Sequence, residues 1–419
     1  MNQARKPDGW RRNFFLGLIH GVFFNGGSAF SDVGTVLPVF LNNFTASKIL
    51  IGLSSSLLGP LGGVGNALPQ LITANWMENR VRKKPVLVAA ITVRALCWGG
   101  LAAVTYLFAL SHPVLVVLSL FFFLTLFTFM GGIASIPFYD IWGKAIPANL
   151  RGRFFGYRQL GGGVLAILAG VAVKNILGST MIGFPENYSL LFLLSFFFIS
   201  ISYLALGSVR EPIEETHKYR LPFRGFLGKT ARIFKADHNF RKFLIVQVLV
   251  GSGGLALPFY VLHARNISPV DLGMVGIFLS AQMAGSLLSN IFWGHLSDYR
   301  GNKIIIVSSA LIGFLVPLLA IAIPAGRPGF FTLLFLGIGF FITGRTIGST
   351  NFLLDIAPPK ERPTYISLKG TLALPIVIFP FIGGIIGQYF SYPVLFAVTG
   401  LLAGTGFVLS FTLTEPRRA

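Results

Sequence analysis

The chain is short of charge, and shorter still of acid. Only 11% of its 419 residues are Asp, Glu, Lys or Arg, less than half the share typical of a soluble domain, and just 14 are acidic. That is too little charge to wet the surface of a soluble protein of this length. A single cysteine, Cys97, excludes an intramolecular disulfide and a thiolate metal cluster. The six histidines (His20, His112, His217, His238, His263 and His295) include no pair at metal-ligand spacing. No G-x-x-x-x-G-K-S/T loop is present to cradle a nucleotide phosphate. Strict period-2 alternation is missing as well, which argues against a transmembrane barrel. These gaps leave no catalytic set, no metal and no cofactor to expect, so the chain does not read as an enzyme.

What is abundant is apolar sequence: 53% hydrophobic residues and a mean hydropathy of +0.73. A bilayer core takes about 20 apolar residues per helix. Twelve such runs are expected, at 13–41, 49–76, 86–110, 114–142, 154–178, 188–208, 242–264, 272–296, 304–324, 329–355, 364–390 and 393–413. The first 12 residues carry four basic residues ahead of a polar-speckled run without a small-residue cleavage site. No removable signal peptide is therefore expected.

The formal charge of +20 has two readings, nucleic acid or membrane, and the positions of the charges separate them. Of the 34 Lys and Arg, 28 fall on the termini, the even-numbered connections and the middle loop from Arg210 to Lys242. The odd connections hold only Lys48, Arg265 and Arg327, and Arg94, Lys174 and Arg345 lie within spans. Such a bias sets orientation: both termini are expected in the cytoplasm, in a cell membrane that we read as a bacterial inner membrane. Nucleic acid is excluded as a partner, because its basic patch needs one contiguous face. The bilayer is the partner these charges address.

The chain also repeats itself. Pro147, Arg151, Phe154 and Arg158 recur 211 residues later as Pro358, Arg362, Tyr365 and Lys369. Glu78, Arg80 and Lys83 recur 220 residues later as Asp298, Arg300 and Lys303. Parallel six-helix repeats of this kind are a transporter architecture. The expected organisation is a bundle over 1–208, a cytoplasmic linker over 209–241 and a second bundle over 242–419. Within the linker, Phe226, Leu227, Thr230, Ile233 and Phe234 recur at helical spacing between basic residues, the pattern of an interfacial amphipathic helix.

The turn after the eighth run reads Gly294-His295-Leu296-Ser297-Asp298-Tyr299-Arg300-Gly301-Asn302-Lys303. It resembles the G-x-L-x-D-R/K-x-G-R/K-R/K signature of the major facilitator superfamily, with Tyr299 and Asn302 departing at usually basic positions. Pro147 followed by Arg151-Gly152-Arg153 is similar to another turn of that family. The resemblance spans essentially the whole chain. It implies an all-α polytopic membrane protein of twelve transmembrane helices in two pseudo-symmetric six-helix bundles, working as a monomer. It also implies a cytoplasmic latch in which an acid faces a helix N-terminus and nearby arginines. Asp298 and Arg300, framed by Gly294, Gly301 and Lys303, stand for the second-half latch. Glu78 and Arg80 stand for a degenerate first-half copy, and Arg151 and Arg362 for the paired turns that follow.

Ionisable groups inside spans are costly and by default mark a pathway. Asp32 is the only acid deep within a span. With Asn25, Ser28 and Thr35 it forms a stripe spaced for one helix face, about 28 Å along the first run. It is a candidate proton carrier or cation ligand, or alternatively a polar group near the outer interface. Arg345 could clamp an anionic substrate, pair with Asp32 or simply stabilise the bundle. Arg94 could serve the pathway or snorkel to the cytoplasm. Tyr139 and Asp140 end the fourth run as gate or interfacial anchor. The span-5 glycine-proline pattern of drug-proton antiporters is absent.

The expectation is a secondary active transporter that moves a small-molecule solute by alternating access, coupled to protons or another ion and leaning towards export. An uptake symporter is the nearest alternative. A non-transporting membrane delivery or assembly factor of the same fold is the other.

Overall fold

The computed structural model of the chain describes residues 9–58, 82–212, 233–268, 271–358, 361–372 and 374–415, with 69, 73, 77 and 80 between them. Every regular element among them is helical. In chain order these are α1 (Trp10–Ala29), α2 (Val36–Asn42), α3 (Lys48–Leu58), α4 (Lys84–Phe108), α5 (Pro113–Ala145), α6 (Arg151–Leu177) and α7 (Glu186–Gly207). There follow α8 (His238–Gly251), α9 (Gly253–Ala256), α10 (Tyr260–Ile267), α11 (Met274–Arg300), α12 (Lys303–Ala322) and α13 (Gly329–Ile356). The last are α14 (Arg362–Leu372), α15 (Leu374–Tyr389) and α16 (Tyr392–Ser410). Among the described residues ten helical runs are long and apolar enough to cross a membrane, with α8 to α10 counted as one run and α14 with α15 as another.

The first two of the twelve expected runs account for the rest. The second is described as a helix only over Lys48–Leu58. The first is not continuous, contrary to the expected 13–41 helix. It breaks between Ala29 and Val36, because Asp32 turns back on its own chain. Its Oδ1 accepts from the Gly34 amide at 2.9 Å and the Thr35 hydroxyl at 2.8 Å. Short Asp side chains compete in this way with the helical ladder, and the backbone resumes as α2 one turn on.

Elsewhere the ends follow ordinary signals. Proline sits in the first turn of α4, α5 and α16, where its missing N–H leaves no bond unmade. Asp237 caps α8 by accepting from the Phe240 amide at 2.8 Å. Of the expected amphipathic linker helix, Phe226, Leu227 and Thr230 lie outside the described residues; Ile233 is buried against a core that includes Phe240 and Phe243.

The chain forms two compact units. Unit 1 is Met1–Ala46, Leu57–Lys218 and Asp271–Ser280; unit 2 is Ser47–Ser56, Tyr219–Val270 and Ala281–Ala419. In unit 1, α1 packs on α6 and α7, and α4 packs on α5 and α7. Unit 2 repeats the scheme: α8 packs on α16, and α12 on α13 and α16. Small residues let these helices approach. In unit 1 a Cβ at Gly161 would lie 2.7 Å from Val22, and one at Gly17 2.6 Å from Trp142. In unit 2 a Cβ at Gly383 would press on the Leu255 carbonyl, and Gly52 and Gly384 seat α3 on α15 in the same way. Lys48 anchors that contact, donating from Nζ to Gly387 O at 2.6 Å and from its amide to Gln388 at 2.9 Å.

Candidate functional site

Unit 1 holds a cavity of about 490 Å³, within the usual range for a small-molecule site. One side of it is the face of α1 that carries His20, Phe24 and Ser28, continued through the break by Ser31 and Asp32. Helix α4 contributes Ile91, Arg94 and Trp98, helix α5 Phe127, Gly131, Phe138 and Tyr139, α6 Arg158 and α7 Tyr203. Four of the sequence candidates, Ser28, Asp32, Arg94 and Tyr139, therefore meet in one place. Asn25 does not join them. The lining face of α1 runs through positions 20, 24 and 28, so Asn25 is turned away and lies against Gly162 of α6, where a Cβ would sit 2.9 Å from its Cβ and Cγ and closer still to Nδ2. The single-face stripe of Asn25, Ser28, Asp32 and Thr35 is corrected accordingly: the helix break ends it, and buried Thr35 is spent on Asp32.

Two arginines dominate the cavity. Arg94 does not run to an interface. Its guanidinium carbon stands 4.1 Å from the Phe127 ring centroid and 5.8 Å from that of Tyr203. Gly131 makes room for it, since a Cβ there would lie 3.3 Å from Cζ and Nη1. The charge pattern places Arg158 among the cytoplasmic turn charges. In fact it lies within α6, 5.3–5.7 Å from the rings of Phe138, Trp142, Phe154 and Phe155. Its stem crosses α1 at Gly21, where a Cβ would come within 2.8 Å of Cβ and Cγ. Among the described residues Arg94 Nε and Arg158 Nη1 are buried without a hydrogen-bond partner, and neither arginine makes an ion pair.

His20 escaped the sequence reading. Ser202 donates to the His20 carbonyl at 2.9 Å, so the ring Nδ1–H is the donor in the 2.6 Å contact with Ser202 Oγ, and Nε2 keeps its lone pair. Its spacing with Phe24 and Ser28, four residues each time, was the available signal.

In unit 2, Arg345 of α13 lies beside Gly251, where a Cβ would be 3.0 Å from Nη2. Its Nε is buried without a hydrogen-bond partner among the described residues. One turn on, Ser349 accepts from Lys369 of α14 at 2.8 Å. The charge pattern places Lys369 on a cytoplasmic turn too; it is half-buried within α14, in a run long and apolar enough to cross a membrane. The repeat that matches Arg158 with Lys369 thus places a partly buried cation two turns into a helix in each unit.

The charged turns are built from side chains that cap helices. Asp140 of α5 receives Lys83 and Lys144, each at 2.8 Å. In unit 2, Asp355 of α13 accepts from Asn302 Nδ2 at 2.6 Å, and Asn302 Oδ1 accepts from Ser297 at 2.7 Å. Asn302 is fully buried, which accounts for its departure from the basic consensus. Gly301 joins α11 to α12 at φ +84°, a left-handed conformation that favours glycine. Glu211 accepts from the Lys83 and Lys84 amides at 2.8 and 3.0 Å, and Glu415 from the Lys303 amide at 2.8 Å. Each glutamate sits at a helix N-terminus, where negative charge is stabilising. Both precede a proline at the end of their half, Glu211-Pro212 and Glu415-Pro416, a repeat the sequence reading passed over. Arg151 donates from Nε to Ile146 O at 3.2 Å and from Nη2 to Gly143 O, capping the end of α5. Asp298, Arg300 and Arg362 are exposed, and nothing lies within 4 Å of a Cβ at Gly294. Arg80 is exposed, and Glu78 lies outside the described residues.

Two units of apolar helices, one of them holding a charged aromatic cavity, define a multi-pass membrane transporter. The description Major Facilitator Superfamily matches residues 190–419. The chain belongs to that superfamily. No curated protein matches it in sequence. Solved structures similar to it include the nucleoside transporter NupG, at 16% identity and TM-score 0.66, covering 99% of this chain and 100% of that one. Another is a D-xylose-proton symporter, at 13% identity and TM-score 0.72, covering 98% and 99%. A third is a bacterial homolog of the human lysosomal transporter Spinster, inward-facing and occupied, at 15% identity and TM-score 0.70, covering 98% of each chain. At these identities the likeness is one of fold.

Proposed function

We propose that the chain is a secondary active transporter that carries a small-molecule solute across a bacterial inner membrane by alternating access, driven by a proton or ion gradient. The observation that carries this reading is the unit 1 cavity, where a lone carboxylate at a helix break faces the same space as two unpaired guanidiniums. Asp32 is the coupling group: a buried carboxylate with no ion-pair partner among the described residues is free to take up a proton or a cation. Discontinuous membrane helices commonly carry such ion sites. The distribution of basic residues supports cytoplasmic termini, and a reporter fused after Ser47 should read outside while one after Lys229 reads inside.

The test is flux in proteoliposomes under an imposed pH gradient, over a panel of nucleosides, pentoses, short peptides, amphipathic cations and aromatic carboxylates. Gradient-driven movement of one class that Asp32→Asn abolishes is expected. Reversing the gradient separates export from uptake. Flux that is unchanged in Asp32→Asn contradicts the coupling role.

A further inference from the structure

The unit 1 cavity is unusual in what its polar atoms leave unmade. Four buried groups on its lining have no hydrogen-bond partner among the described residues: Arg94 Nε, Trp98 Nε1, Arg158 Nη1 and the Tyr203 hydroxyl. The first three can only donate. A buried donor without an acceptor is costly, and a binding site is one place where that cost is held until the ligand arrives. Both guanidiniums are held in place by the fold, with Gly21 under the stem of Arg158 and Gly131 under the head of Arg94. The charges do not cancel. Among the described residues Asp32 is the single carboxylate on the lining, its Oδ1 is already engaged by Gly34 and Thr35, and it forms no ion pair with either arginine. Two cations against one anion leave room for one further negative charge. Around them the wall is aromatic, with Phe24, Trp98, Phe127 and Phe138 offering flat faces.

From this we infer that the cavity binds an organic monoanion: a carboxylate or similar acceptor group taken by Arg94 and Arg158, on a flat apolar body stacked among the rings. This rests on the transporter reading and names the class of its substrate. A guanidinium matches a carboxylate in planar, two-pronged geometry, which an ammonium does not. The aromatic faces hold each guanidinium without consuming its donors.

The experiment is equilibrium binding to the purified full chain in neutral detergent, with 2-naphthoate, its neutral amide and 2-naphthylmethylammonium as probes. The carboxylate should bind about tenfold or more tightly than the amide, and the ammonium should not bind measurably. Arg94→Gln and Arg158→Gln should each remove the preference for the carboxylate over the amide, while Arg327→Gln, on an exposed loop, should leave it intact. Trp98→Phe keeps the ring and drops one donor, and should weaken carboxylate binding by about threefold. Should the arginine variants fail to fold, Trp98→Phe and the three-probe comparison still decide. Equal affinity for carboxylate and amide overturns the inference. So does loss of 2-naphthoate binding in phosphatidylglycerol nanodiscs but not in phosphatidylcholine ones, which would mark a lipid headgroup site. Binding is read apart from flux: 2-naphthoate bound but not moved counts against the transporter reading alone, whereas coupled flux of a solute with no carboxylate preference in binding counts against the anion site alone.

Discussion

The Thr35 hydroxyl donates to Asp32 Oδ1 at 2.8 Å, within the break of the first span. The same oxygen takes the Gly34 amide, so Asp32 both shapes the break and puts a carboxylate on the cavity wall. These roles separate by mutation. Asparagine presents an equivalent acceptor, and Asp32→Asn should melt close to wild type in detergent. Asp32→Ala loses both bonds and should cost about 1 kcal/mol, read as a lower melting temperature. Equal destabilisation by the two variants would show that the charge, and not the acceptor geometry, holds the break.

Asp140 joins Lys83 and Lys144. Removing the shared carboxylate strands two partly buried ammonium groups, whereas removing Lys144 leaves the Lys83 pair. Asp140→Asn should cost about 1–3 kcal/mol and Lys144→Ala less than about 1, checked by thermal melting. The reverse order would show that Lys83 draws little from the pair.

Glu211 and Glu415 cap the N-termini of α4 and α12. Alanine at either position should cost about 1 kcal/mol; glutamine should cost only a few tenths at 415, where one oxygen accepts, and more at 211, where it keeps one of two acceptor oxygens. Similar losses for alanine and glutamine would assign the effect to charge alone. Combining the two alanine variants should give an additive loss, since the caps share no residue.

Two glycines should respond oppositely to alanine. A Cβ at Gly339 would press on the Gln282 carbonyl and lie 2.6 Å from the Ser286 amide, both backbone atoms that cannot move aside. Gly339→Ala should cost about 1–3 kcal/mol or prevent folding. Gly294 has open space and sits in the helix α11, so Gly294→Ala should stabilise by about 0.5–1 kcal/mol. Destabilisation by Gly294→Ala would mean that this turn closes on something in another state of the cycle.

The hydrophobic runs marked the helices well, because a bilayer-length apolar stretch has few other uses. Residue-level pattern failed where a side chain overrode the period: Asp32 ended a helix that hydropathy drew as continuous, and its break displaced the polar stripe. Charge carries the topology reading, whose sidedness the reporter fusions test. It misplaced Arg158 and Lys369, because both lie only two turns into their helices, and sequence cannot tell an inward-pointing stem from one that reaches the interface. Their places in the internal repeat held that information. His20 and the two Glu-Pro caps needed tertiary partners from distant helices, Ser202 and the amides of Lys83, Lys84 and Lys303, which no local spacing announces.

The most direct measurement is solute counterflow in proteoliposomes, with no imposed ion gradient. Vesicles are loaded with an unlabelled solute at high concentration and diluted into trace label, for each class of the panel in turn. A carrier that exposes its site alternately to the two sides should give a transient overshoot of label inside for one class, absent from protein-free vesicles and from Arg94→Gln. No overshoot for any class, in vesicles whose protein still binds a member of the panel, would contradict transport by alternating access.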